Sequence, residues 1–319
     1  MKVARTFVVV LVPVVLLGGC SYDRPAAPPE RPRPAVTTST TTPFPGPEAW
    51  VPSPNEVEPQ LKRAAADTIR ALFSYEPGAG VVDAARERLG TLAAEPAIAD
   101  KVEQLLDPAA RAAADVLYPQ MGGLAGNRAS AMVVTRLRWQ TGEALRSEVR
   151  TIDVRLARRE GLWTVEDVAS LGGEPVPVPT TLSPAARRVL EHPNIELPDS
   201  ARWDIHSGLV IDRVLTVLSA IADGNQIRVG VLSSGHPQQV FGSAHTSNHI
   251  PGRAVDVWWI GAPVVEQVAA GGPLRSIVQQ LLDDGVSELG SPFDLDGPGG
   301  ANFANLVHQD HLHIGFDSA

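Results

Sequence analysis

The chain has 319 residues, 44% of them hydrophobic, enough to bury one or two sizeable cores. Its formal charge of −9 argues against an electrostatic nucleic-acid binder, which needs a basic face to neutralise phosphates. A single cysteine excludes an internal disulfide.

The first segment, 1–20, has the form of a secretory signal. Lys2 and Arg5 precede an apolar run, Phe7 to Leu17, too short to span a bilayer as a mature helix, and small residues lead into Cys20. The ending "LGGC" resembles the bacterial lipobox, which implies lipidation of Cys20 and attachment of an exported protein to the bacterial cell membrane, facing the cell wall. A lipid thioether also accounts for a lone thiol in an oxidising compartment. Residues 21–54 are rich in Pro and Thr and poor in large apolar side chains, the composition of a disordered tether.

Residues 55–172 read as an α+β unit. "VEPQLKRAAADTIRALFSYE" places Leu61, Ala65, Thr68, Ile69 and Leu72 at helical spacing, and "EPAIADKVEQLLDPAARAAADVLYPQM" predicts further helix up to Pro119. After Gly122, Gly123 and Gly126 the pattern alternates with a period of two through "ASAMVVTRLRWQTG", "LRSEVRTIDVRLARREG" and "LWTVEDVASL", as antiparallel strands do. Helices followed by a meander, with Trp163 on the last strand, resemble the nuclear-transport-factor-2-like cone. The segment holds no histidine or cysteine, and its carboxylates lie among arginines; no catalytic constellation is expected in it. Docking of an envelope protein partner is an alternative role for it.

A Pro-rich linker, 173–182, separates this unit from a second α+β unit, 183–319. There Ser183 should cap a helix with Pro184 at its first position. "GLVIDRVLTVLSAIADGN" gives a helix with Leu209, Val210, Val214, Val217, Leu218 and Ile221 on one stripe. "IRVGVLSS", "RAVDVWWIG" and "HLHIGF" read as strands, and "PLRSIVQQLLDDG" as a helix.

All eight histidines lie at or beyond His192. In the terminal strand a period of two puts His311 and His313 on one face, about 6.5 to 7 Å apart. Asp256 lies amid "AVDVWWI", where a carboxylate is costly to bury unless paired or metal-bound. His249 precedes that strand, and Gly252 lets the chain bend back so that His249 can meet Asp256. Two arrangements are open on these residues alone. One is a zinc site of His249, Asp256 and a terminal-strand histidine, with a fourth position for water. The other is a turn histidine with Asp256 in a salt bridge, for example to Arg253.

Ser247, His249, Gly252, Ala254 and Asp256 match the S-x-H-x-x-G-x-A-x-D pattern of the LAS metallopeptidases, the group named for lysostaphin, D-alanyl-D-alanine peptidases and sonic hedgehog. The late "HLH" resembles that group's second motif, and the triple His308, His311 and His313 resembles that of penicillin-insensitive murein endopeptidases. The resemblance covers 183–319. It implies Zn2+ held by His249, Asp256 and His313, Ser247 shaping the ligand loop, and hydrolysis of amide bonds in the stem or cross-link peptides of peptidoglycan. For the base, the offset used by Glu-x-x-His relatives falls on Asp310, but a regular strand points Asp310 away from the metal and favours His311; His308 is a third participant or a neighbour in the turn. Where D-alanyl peptidases carry a substrate-binding arginine, "SSGHP" has His236, either substrate-facing or a loop histidine. His245 is expected at the rim, and His192 and His206 as structural residues. The alternative to an enzyme is a catalytically impaired module that binds metal and wall peptides, or a partner protein, without turnover.

Overall fold

In a computed structural model, residues 44 and 46–318 are described, apart from 271. The signal segment, Cys20 and the tether up to Pro43 lie outside them. Among the described residues no helix is long and apolar enough to cross a membrane.

Helix α1, Pro59–Phe73, starts with a proline at its first position and buries Leu61, Ala65, Ile69 and Leu72. Two short helices follow, α2 at Val82–Leu89 and α3 at Ile98–Lys101. The helix expected up to Pro119 is formed only in part, as α3 and a 3-10 turn at Glu103–Leu105. From Arg111 the chain is instead a strand, β1, Arg111–Ala125. Alanine's helix preference is overridden by pairing, because β1 lies along β2, Arg128–Thr141, over its whole length. Pro119 is accommodated because β1 is the edge strand, where a missing N–H costs no ladder bond. β3, Ala144–Arg159, and β4, Leu162–Ser170, complete an antiparallel sheet in the order β1-β2-β3-β4. The helices cover one face of it around a core that includes Leu61, Ile69, Met121, Leu137, Ile152 and Val165.

The second half begins with α4, Pro184–Glu191, where the Ser183 side chain accepts a hydrogen bond from the Ala186 N–H. β5, Ile195–Glu196, leads to α5, Asp199–His206, and α6, Asp212–Ala222. The expected stripe starts too early. Leu209 precedes α6 and is exposed, whereas Val214, Leu218 and Ile221 are buried. β6 (Ile227–Val231), β7 (Ala254–Ile260), β8 (Ala262–Pro263), α7 (Val264–Ala270), α8 (Leu274–Asp283), β9 (Glu288–Gly290), β10 (Asn302–Phe303) and β11 (Leu312–Gly315) follow. The sheet is mixed, in the order β10-β9-β11-β7-β6-β5, with β8 on β7. A second core, including Val214, Leu218, Val255, Val257, Leu289 and Ile314, lies against it.

The protein is therefore α+β, with two hydrophobic cores inside one compact unit from Phe44 to Ala319. The halves are joined by specific bonds. The Thr151 hydroxyl donates to the Gly230 carbonyl at 2.6 Å, the Val149 N–H donates to Asp199 at 2.8 Å, and the Tyr118 and Trp258 rings stack with centroids 4.7 Å apart.

Candidate metal centre

β7 and β11 are antiparallel neighbours with His313 paired to Asp256. Directly opposed residues have Cβ atoms about 4.5–5.5 Å apart, so the register alone brings imidazole and carboxylate together. His249 arrives from the preceding loop. The turn is fixed by bonds from the Ile250 N–H to the Ser247 carbonyl and from the Gly252 N–H to the His249 carbonyl. Gly252 has φ +70°, and a Cβ there would lie 2.2 Å from the Leu209 carbonyl oxygen, so no other residue fits.

Three ligand-type atoms converge. His249 Nε2 lies 3.1 Å from Asp256 Oδ1 and 3.1 Å from His313 Nδ1, and His313 Nδ1 lies 2.9 Å from Asp256 Oδ1. Tetrahedral zinc with ligands about 2.0–2.2 Å away holds adjacent ligand atoms roughly 3.4 Å apart, so this triangle needs to open by only a few tenths of an ångström. The donor set fits the metal. His249 Nδ1 is bonded to the Leu232 carbonyl, which fixes the tautomer and leaves Nε2 free as a ligand. Among the described residues His313 Nε2 has no hydrogen-bond partner within reach, and it faces Glu288 Oε2 at 3.7 Å, where an outer carboxylate would stand behind a metal-bound histidine. Arg253 bonds the Asp317 carbonyl, so it is not the partner of Asp256.

His236, His249 and Asp256 also form a buried group that could hold a metal, with one ligand atom from each within 4.8 Å of the others. The two sets share His249 and Asp256, and ring geometry decides between the histidines. His236 stacks on His249 with centroids 3.9 Å apart and planes inclined by 10°, and two parallel rings cannot both direct an in-plane lone pair at one ion. The His313 ring is tilted by 48° to that of His249, which permits it. His236, its Nδ1 hydrogen-bonded to the Pro237 carbonyl, therefore backs the His249 ring and lines the cleft.

Electrostatics follow the same geometry. Burial opposes ionisation of Asp256, but His249, His311 and His313 around it outweigh that and hold its carboxyl well below the usual range. Burial disfavours charge on His313, yet Asp256 and Glu288 lift it to about 9. The His313 imidazole in turn holds Glu288 down to about 2. Burial, reinforced by the neighbouring imidazoles, pushes His236 and His308 well down, so both rings are neutral.

His311 lies just before β11. Its Nδ1 is 2.6 Å from Asp310 Oδ1, and its Nε2 is 3.7 Å from Asp256 Oδ2. Both oxygens of Asp310 are engaged away from the triangle's own bonds. Its other oxygen accepts the Met121 N–H at 2.9 Å and pairs with Lys62 at 2.5 Å. His308 borders the cleft with Nδ1 on Asn305 Oδ1, and Ser247, nearly buried, accepts the His249 N–H. His245 is exposed, His192 is bonded to Asp223, and His206 to the Val176 carbonyl.

Asp256 and His313 line a cleft of about 420 Å³, and His249 lies fully buried behind them. One wall is Met121 to Leu124 of β1, so the first half borders the site although its sequence holds no catalytic constellation. Gln120 and Lys62 were missed. Lys62 could have been found, since it sits three, four and seven residues before Ala65, Ala66 and Ile69, on the apolar stripe of α1. Gln120 had no signal once β1 was read as helix. Neither a protein-family model, nor a curated protein, nor a solved structure matches the chain.

Proposed function

We propose that the chain is a zinc-dependent peptidase of LAS type that hydrolyses amide bonds in peptidoglycan peptides, exported and anchored to the membrane through lipidated Cys20. The observation that carries the reading is the triangle of His249 Nε2, Asp256 Oδ1 and His313 Nδ1, two of whose residues line a cleft, with an imidazole beside it that is not needed as a ligand. On this reading the first half is nuclear-transport-factor-2-like and serves as one wall of the cleft.

His249, Asp256 and His313 would hold the metal, and the chemistry zinc supplies when bound is a lowered water pKa and a polarised carbonyl. The protein's own groups do the rest. His311, which lines the cleft with Nε2 3.7 Å from Asp256 Oδ2, takes the proton of the attacking water, then returns it to the departing amine. Asp310, bonded to Nδ1, holds the ring in one tautomer and stabilises the imidazolium. His308 and His236, kept neutral by burial, flank the cleft without adding charge.

Among the described residues, no lysine or arginine lines this cleft. A free terminal carboxylate would have no cation to meet there, which supports endopeptidase over carboxypeptidase action. The same lack of a clamp supports a second reading, a module that binds metal and wall peptides without turnover.

The test is incubation of the metal-replete protein with muropeptides, followed by mass spectrometry. About one zinc per chain and cleavage of cross-linked dimers are expected, with cleavage lost in Asp256→Ala and His313→Ala. Zinc-loaded protein that binds these peptides and leaves every bond intact selects the second reading.

A further inference from the structure

We infer that Gln120 and Lys62, from β1 and α1 of the first half, are positioning residues of the metal centre, so that the centre is composite and its geometry is set in part from outside the half that carries the ligands. The inference rests on the proposed zinc site, and on the peptidase reading only for its kinetic arm.

Gln120 is fully buried, and its side-chain amide donates to Asp256 Oδ2 at 2.7 Å. A carboxylate only accepts, so the amide nitrogen must be the end facing it. The other oxygen, Oδ1, is the one facing His249 and His313. Gln120 thus decides which oxygen is left for the metal and fixes the plane of the carboxylate. Among the described residues its own Oε1 has no protein partner. The neighbouring chain makes room for it, since a Cβ on Gly230 would come within 2.3 Å of Gln120 Oε1. A register irregularity in β1 between Met121 and Gly123 re-aims the strand beside the site.

Lys62 acts one step further out. Fully buried, it pairs with Glu56 and with Asp310 Oδ2, while Asp310 Oδ1 takes His311 Nδ1. The Met121 N–H, on the free edge of β1, closes the set on Asp310. A buried ion cluster is seldom a net gain over apolar packing, so its retention calls for another role. Here that role is to fix Asp310, and through it the orientation of His311.

The experiment uses the full folded chain. Zinc affinity is measured by chelator competition for the native protein, Gln120→Met and Gly230→Ala, with folding checked by circular dichroism. Outer-shell loss typically weakens binding about ten- to hundredfold, and that is expected for both variants. Gly230→Ala displaces the Gln120 amide without removing it and carries the test where Gln120→Met does not fold. Affinity within twofold of native in either folded variant overturns the role of Gln120. Lys62→Gln is expected to lower kcat on muropeptides at least tenfold with KM and zinc affinity unchanged, and Lys62→Arg to restore part of kcat. A Lys62→Gln protein with native kcat, or with kcat, KM and zinc affinity all degraded together, overturns the role of Lys62. A native protein that binds zinc but cleaves nothing removes the peptidase reading and leaves the zinc-affinity arm to decide the inference.

Discussion

On the zinc reading, His313 is contested between a proton and the metal. In the metal-free fold its pKa rises from 6.5 to about 9, so proton binding stabilises the folded state fully below pH 6.5, and that contribution is lost as the pH climbs through about 9. A ligand imidazole must give up the proton that occupies its ligating nitrogen. The chelator-treated protein is therefore expected to lose Tm between pH 6.5 and 9, and the extra stability conferred by zinc to grow over the same window. Thermal unfolding with and without chelator across that range checks this; a stabilisation by zinc that shrinks as pH rises would contradict it. Asp310 gives a separate test. Burial works against its charge, but Lys62 and His311 outweigh that and keep it ionised, ready to stabilise an imidazolium on His311. Asp310→Asn should cut kcat by about 10²- to 10⁴-fold while zinc content stays at the native level, because the residue touches His311 rather than the ligand atoms. Zinc content measured beside single-turnover rates separates the two.

At the scale of elements, legibility followed how much of each pattern is local. "AVDVWWI" and "HLHIGF" could be read as strands, and Asp256, His249 and the final histidines as one constellation, because alternation and a glycine turn are written in adjacent residues. β1 could not, since its alanine-rich stretch has no helical stripe and no clear alternation, and it becomes a strand only through pairing with β2. Misreading β1 hid the wall of the cleft and Gln120 together. Lys62 was in view on the apolar face of α1, but the partner that explains it lies some 250 residues on, at Asp310. That ion cluster also predicts stability. Lys62→Met leaves Glu56 and Asp310 buried without their cation, and breaking a buried pair costs about 3–5 kcal/mol. Adding Glu56→Leu should recover part of the loss, because removing a buried charge is cheaper than stranding it. Denaturant melts of the single and double variants read the difference directly.

For the whole molecule, the question is whether residues 183–319 hold the site by themselves. They carry all three atoms of the triangle and their own core. Yet Asp256 Oδ2, Asp310, Asp199 and the Gly230 carbonyl are all satisfied by groups from the first half, and Trp258 is stacked on Tyr118. Cutting between the halves would leave two site carboxylates without their donors and open one wall of the cleft to water. Water would solvate those carboxylates, but a mobile shell does not fix which oxygen of Asp256 faces the metal or how His311 is turned. The isolated 183–319 segment is therefore expected to bind zinc at least tenfold more weakly than residues 44–319 and to lack activity on muropeptides, even where circular dichroism reports native strand content. Supplying residues 44–172 as a separate chain should restore part of the affinity, in proportion to their concentration, because the contacts between the halves are specific hydrogen bonds, an ion pair and a ring stack. Zinc titrations of the three preparations decide the point, and equal affinity with and without the first half would return the centre to the C-terminal half alone.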